Sequence, residues 1–308
     1  MTKERITEKR SDGSNAHNYL RLHTGILLAG ATGIFGRLIS LGELPLVWYR
    51  MIIAAGVLAL VLKMSHRISV PGKAHIVRIG GCGVLLAIHW VLFYASIKAS
   101  NVSIAVVCIA LNGFFTAIIE PLMCHRRMSW RELLLSLVTL AGILLIFGLD
   151  TRHRTGIIIG TFSSLFYTLF SVTSKKVQQN TGRSSSTMLL YELLIGWGAL
   201  TLALPVYAFI VPAAPLLPCG WDWAFILVFA SVFTIGPFLT QLQALRTISA
   251  FTVNLSYNLE PLYSIALAMV IFNEGQELNA SFWGGVLLII LSVVLQTVWG
   301  RVGDNSRK

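Results

Sequence analysis

Apolar positions in this chain fall in long unbroken runs, with neither the strict alternation of a half-buried strand nor the narrow stripe of a surface helix. The runs stand at about 24–40, 44–62, 79–97, 102–123 and 132–149, and again at about 156–174, 187–210, 223–245, 250–272 and 280–299. Each helical crossing of a hydrocarbon core roughly 30 Å thick takes about 20 mostly apolar residues. The pattern therefore predicts an all-α integral membrane protein of ten transmembrane helices with short connections. In a chain of 308 residues, that leaves little for a catalytic domain outside the bilayer.

Composition agrees: 55% of residues are hydrophobic and 12% charged, against roughly a quarter charged in soluble domains. The net charge of +11 forms no single stripe of the kind a nucleic acid needs. Its lysines and arginines sit in short clusters between apolar runs, where they act as topology signals. With the N-terminus inside, one side collects nineteen of them, from Lys3 through the clusters at Lys63–Arg78, Arg126–Arg131 and Lys175–Arg183 to Lys308. The other side has Arg37, Lys98, Arg152 and Arg154, and Arg50 lies within a run. Both termini are expected in the cytoplasm, with the loop carrying Glu274 and Glu277 outside. Cys82, Cys108, Cys124 and Cys219 have no metal-ligand spacing and read as small packing residues.

The chain also contains two ordered, weakly similar copies of itself. Gly25-Ile-Leu-Leu-Ala29 echoes Gly156-Ile-Ile-Ile-Gly160; Tyr49-Arg50 with Gly56 echoes Tyr191-Glu192 with Gly198; Leu111-Asn112-Gly113 echoes Leu259-Glu260-Pro261. Each copy holds five runs, an odd number, so the second enters the membrane from the opposite face. Inverted repeats of this kind make two conformations of similar energy around a midplane site, which is the structural logic of a secondary transporter. The predicted organisation is a basic tail at 1–21, repeats at 22–149 and 156–300, and a second tail at 301–308.

On these features the chain resembles the drug/metabolite transporter superfamily, specifically its EamA-type ten-helix members. The resemblance rests on Trp48-Tyr-Arg50, Phe93-Tyr-Ala-Ser-Ile-Lys98, Asn258-Leu-Glu260-Pro261 and Phe272-Asn-Glu274, within the five-plus-five arrangement. It departs from the family pattern in the first repeat, where Asn112-Gly113 replaces a frequent proline and Arg126-Arg127 a glutamate-containing turn. The resemblance implies export of amino acids or related metabolites across the plasma (inner) membrane. It also implies a cavity bounded mainly by the first, third, fourth, sixth, eighth and ninth helices.

At 1.5 Å rise per residue, His89, Trp90, Asn112, Tyr167 and Glu260 each lie near the membrane midplane. An ionisable group there marks a functional site by default, so Glu260 is the leading candidate, as ammonium ligand or proton carrier. Tyr257 and Asn258 extend its polar face, and Pro261 removes a backbone donor beside it. A hydrogen-bonded structural role at a proline kink is the competing reading. Ser164, Tyr167, Thr168 and Ser171 form a polar stripe that either lines the cavity or satisfies itself between packed helices. Tyr94 joins His89 and Trp90 as aromatic wall, and Gln241 is placed near the cytoplasmic mouth. Arg50, Glu192 and Pro261 are assigned to gating or structure. Arg50 and Glu192 hold equivalent repeat positions, yet their depths differ by roughly 10 Å, which argues against a direct pair.

No nucleotide-binding loop, HExxH, GxSxG or His/Cys metal spacing occurs. The expected partners are a small-molecule substrate and the lipid bilayer, with neither cofactor nor metal nor nucleic acid, and a monomer suffices. A membrane-embedded enzyme and a receptor or scaffold are the alternatives, neither of which requires an inverted repeat.

Overall fold

The computed structural model describes residues 20–125, 127–147, 153–273 and 280–305, and every regular element among them is helical. The helices are α1 (20–30), α2 (Thr32–Leu38), α3 (Glu43–Met64), α4 (Lys73–Ala99), α5 (Val102–Ile109), α6 (Leu111–Cys124) and α7 (Trp130–Phe147). They continue with α8 (Arg154–Thr181), α9 (Ser185–Ile210), α10 (Asp222–Ser231), α11 (Ile235–Leu245), α12 (Ala250–Ser256), α13 (Glu260–Phe272) and α14 (Ala280–Asn305). Polar residues set several starts: Asn101, Ser184 and Ser249 each accept from the backbone N–H three residues on, satisfying a donor that the helix leaves free.

Seven helices are long and apolar enough to cross a membrane: α3, α4, α8, α9 and the interrupted helices Val102–Cys124, Asp222–Leu245 and Ala250–Phe272. The remaining expected runs coincide with α1 and α2, with α7 and with α14, within which Ala280–Ser292 is a shorter apolar helix. The turn at Ala31 divides α1 from α2. Glu274, Glu277, Arg126, Arg152 and the basic tail before residue 20 lie outside the described residues.

The interruptions have sequence causes. Pro261 has no N–H for the carbonyl of Tyr257, and a single 3-10 turn, Tyr257–Leu259, separates α12 from α13. Pro237 likewise leaves the carbonyl of Phe233 without its helical donor, and the turn Val232–Thr234 separates α10 from α11. Val102–Cys124 breaks at Ala110. That break lies nine residues after the cap Asn101, and the 3-10 turn is centred nine residues after the cap Ser249.

Three pairs of helices from the two halves pack on each other antiparallel: the second of each half, the last of each half, and one segment from each interrupted fourth helix. In α3 and α9, Trp48 Nε1 donates to Thr201 Oγ1 at 2.8 Å while Met51 lies against Gly196. In α7 and α14, Thr139 Oγ1 donates to Ser292 Oγ at 2.8 Å while Gly142 lies against Gly285. In α6 and α12, Asn254 Nδ2 donates to Thr116 Oγ1 at 2.8 Å while Glu120 Oε2 accepts from Phe251 N–H at 3.0 Å.

The continuous helices α8 and α9 both pack along α4. Small residues permit their approach: Gly160 meets Cys108, Gly156 meets Ser100, and Gly83 lies directly on the backbone of Glu192. Gly25, the equivalent of Gly156, lies on Thr240. Of the four cysteines, Cys82 and Cys108 are buried, whereas Cys124 and Cys219 are exposed and so do not serve as interior packing.

Candidate functional site

The interrupted helices converge on one internal cavity. Its walls are Ala29 and Thr32 on either side of the α1–α2 turn, Arg50, His89, Trp90, Phe93 and Tyr94, Ile109 beside the α5–α6 break, Tyr167, Phe238, and Tyr257 and Glu260 at the two ends of the 3-10 turn. The space is about 40 Å³, enough for roughly three waters at about 10–15 Å³ each. An organic substrate enters only if aromatic walls move.

Two ionisable groups of opposite type, Arg50 and Glu260, share this space without touching. Arg50 is 1% exposed; its Nε donates to Thr234 Oγ1 at 2.7 Å and its Nη1 to Tyr94 Oη at 2.9 Å. The guanidinium lies over the ring of Trp90 at 3.7 Å and over that of Phe229 at 4.3 Å. Neutral oxygens and π-faces thus replace its water shell, each face contributing about 0.5–2 kcal/mol. Glu260 is 8% exposed, and among the described residues its carboxyl receives no hydrogen bond and forms no ion pair. A buried carboxylate left open costs several kcal/mol, so this is the least satisfied group in the cavity wall.

His89 is held by Ser163. The Ser163 hydroxyl donates to the His89 carbonyl at 3.0 Å, while His89 Nδ1 lies 3.0 Å from the Ser163 carbonyl. A carbonyl only accepts, which assigns the proton to Nδ1 and leaves Nε2 as an acceptor. The ring packs at 4.9 Å from Tyr167.

Of the residues expected in the cavity, His89, Trp90, Tyr94, Tyr167, Tyr257 and Glu260 line it. Asn112 and Gln241 do not; they stand one layer out. Asn112 Oδ1 accepts from Ser164 at 2.6 Å, and Gln241 Nε2 donates to Tyr167 Oη at 2.6 Å. The side chain of Asn258 lies outside the described ones. Arg50, assigned by sequence to gating or structure, is itself part of the wall. It brings α3 into a cavity expected from other helices.

Glu192 lies elsewhere, fully buried between helices, with Oε1 accepting from Ser174 at 2.9 Å. The expected absence of a direct Arg50–Glu192 pair agrees with these separate partners. Pro261 opens α13 beside Glu260. The stripe on α8 divides: Tyr167 faces the cavity, whereas Ser164 bonds Asn112 and Ser171 bonds Asn254 at 2.9 Å.

Sequence reasoning passed over Phe93, Phe238 and Thr234, although Pro237 is a readable signal for the break that carries Thr234. It also passed over Glu120, which joins Lys175 at 3.3 Å and accepts from the N–H of Phe251. That cluster ties α6, α8 and α12 together on one side of the cavity. On the other side, Asp222 accepts from the Ser40 hydroxyl at 2.6 Å and Arg37 lies 4.5 Å over the Phe272 ring.

The sequence profile of the EamA-like transporter family matches residues 19–148 and again residues 154–298. The chain belongs to the EamA-like transporter family. This match accounts for the two internal copies as two EamA-like repeats and, with the apolar helices, makes the chain an integral multi-pass membrane protein of drug/metabolite transporter type. No curated protein matches the chain. One solved crystal structure shares the architecture with a TM-score of 0.69, over 93% of this chain and 99% of its own, at 15% identity. That likeness is one of fold alone.

Proposed function

We propose that this protein is a ten-pass secondary transporter, with two inverted five-helix repeats at 22–149 and 156–300, that exports amino acids or related small zwitterions by alternating access. The observation that carries the reading is the cavity holding Arg50 and Glu260, buried together and not paired with each other. Once the aromatic walls move, a zwitterion bridges them, its carboxylate toward Arg50 and its ammonium toward Glu260. Binding then compensates two desolvation costs at once. Antiparallel packing of equivalent helices supports the inverted topology, because only repeats of opposite orientation place α3 against α9, and α7 against α14, in that sense.

In this mechanism the substrate reaches the cavity from the cytoplasm, the helices tilt about their interruptions, and the cavity opens to the other face. The Glu120–Lys175 cluster closes the cytoplasmic side and the Asp222–Ser40 contact the outer side. The protein acts in the plasma (inner) membrane with both termini cytoplasmic, as a monomer, without a cofactor and without making or breaking covalent bonds. Asn112 and Gln241 support the cavity from behind its wall, while Glu192 and Pro261 serve structure and hinge.

The test is efflux from, and counterflow into, liposomes holding the purified protein, with pooled labelled amino acids and metabolites, with and without a pH gradient. Saturable flux of a zwitterion that Glu260→Gln abolishes or uncouples from the gradient is expected. Flux only of uncharged or anionic compounds, or none from folded and inserted protein, overturns the reading.

A further inference from the structure

Thr234 is fully buried in the turn between α10 and α11. Its hydroxyl has one proton, and that proton is committed: Oγ1 donates to the carbonyl of Phe229, five residues earlier, at 2.9 Å. The oxygen is therefore left as an acceptor, and Arg50 Nε donates to it at 2.7 Å. Both roles of the hydroxyl are used, and both depend on the break, since an uninterrupted helix would place the N–H of Phe233 on the Phe229 carbonyl.

The α10–α11 segment grips Arg50 twice, through the Thr234 oxygen on the Nε edge and through the Phe229 ring on one face. Tyr94 and Trp90, both on α4, supply the other contacts. Arg50 has no carboxylate partner among the described residues, so its orientation rests on these neutral groups alone. With Nε and Nη1 engaged, Nη2 is the edge left for a ligand in the cavity.

We infer that Thr234 is a positioning residue that aims Arg50 at the substrate carboxylate and links occupation of Arg50 to the shape of the α10–α11 break. The inference rests on the reading of Arg50 as the anion anchor. A carboxylate arriving at Nη2 pulls on the guanidinium while the Thr234 oxygen holds its Nε edge. Occupation of Arg50 is thereby transmitted to the break through that bond.

The experiment is counterflow into liposomes, using the labelled α-amino acid with the highest wild-type counterflow and normalising to folded, inserted protein. Thr234→Val keeps the shape and removes the hydroxyl; it is expected to raise KM by roughly tenfold, on the scale of one charge-assisted hydrogen bond lost at the anchor. Thr234→Ser restores the hydroxyl and is expected to restore KM. Thr234→Ala replaces the valine variant if that does not fold. An unchanged KM without the hydroxyl, a fall in maximal rate alone, or equal effects of serine and valine overturns the inference. Absence of wild-type zwitterion flux strikes instead at the reading of the cavity, so the two failures are told apart.

Discussion

The two repeats share a plan and differ in where the plan is broken. Each has an interrupted fourth helix, at Ala110 in the first and at Tyr257–Leu259 in the second. The third helix does not follow suit: α4 runs 27 residues without interruption, whereas its counterpart is divided at Val232–Thr234 before Pro237. Equivalent positions also diverge in chemistry. Asn112 is tied to Ser164, while Glu260 is open to the cavity; Arg50 lines the cavity, while Glu192 is sealed against Ser174. The second repeat thus contributes the open carboxyl and the proline hinges, and the first contributes a rigid post and the cation.

The sharpest way to erase this difference is Glu260→Gln, which gives the second repeat the carboxamide chemistry of the first. Flux in liposomes is expected to fall by roughly a hundredfold, the scale of losing one partner of a buried charge pair, with folding retained. Flux near wild type would remove Glu260 from the mechanism.

The Arg50 and Glu192 pair of positions tests the same asymmetry. Arg50→Lys should reduce flux by roughly tenfold, because a point charge cannot keep the Nε and Nη1 bonds and the stacked faces together. Glu192→Gln should leave flux unchanged, since Ser174 can still donate to a side-chain oxygen. Equal losses in both would mean that the halves use these positions alike.

Hinges come next. Pro237→Ala returns a donor for the Phe233 carbonyl and should slow maximal counterflow about threefold to tenfold by favouring a continuous helix. Pro121→Ala, inside the unbroken α6, should not change the rate.

For the rigid post the readout is stability. A Cβ on Gly83 collides with the backbone of Glu192, whereas Gly81 has open space around it. Gly83→Ala is expected to cost about 1–3 kcal/mol, seen as a lower unfolding temperature in detergent, with Gly81→Ala close to neutral. Smallest of all, Ser292→Ala, which removes the hydroxyl contact to Thr139, should cost about 0.6 kcal/mol.

Much of this architecture can be read from runs and prolines. The apolar runs locate the long helices, Pro261 and Pro237 locate two of the breaks, and depth brings His89, Trp90, Tyr167 and Glu260 to the wall. What depth does not carry is rotation about the helix axis. Asn112 lies at a suitable depth and Gln241 is expected toward the cytoplasmic mouth, but hydroxyls from α8 take up both carboxamides and turn them from the cavity. Arg50 shows the converse. Its backbone position suggests gating, yet a long side chain in an aromatic slot reaches the centre, and that slot forms only when α4 and α10 are assembled. Glu120 lies near the end of its run, where a charge looks inexpensive, so nothing local announces its contacts with Lys175 and Phe251.

The polar stripe of α8 and the polar face of α12 and α13 bear on how the protein is made. Arg154–Thr181 and Ala250–Phe272 are the two least apolar of the seven long helices, so they partition into lipid least favourably on their own. Their hydroxyls and carboxamides are satisfied by Asn112 and Thr116 and by each other, and the N–H of Phe251 donates to Glu120. Thr116, Glu120 and Ser171, which receive Ala250–Phe272, belong to segments synthesised before it. Membrane integration of the late helix is thereby coupled to the earlier ones, and a defect at Asn112 or Thr116 would appear first as a chain that fails to integrate, before it appears as a transporter that fails to turn over.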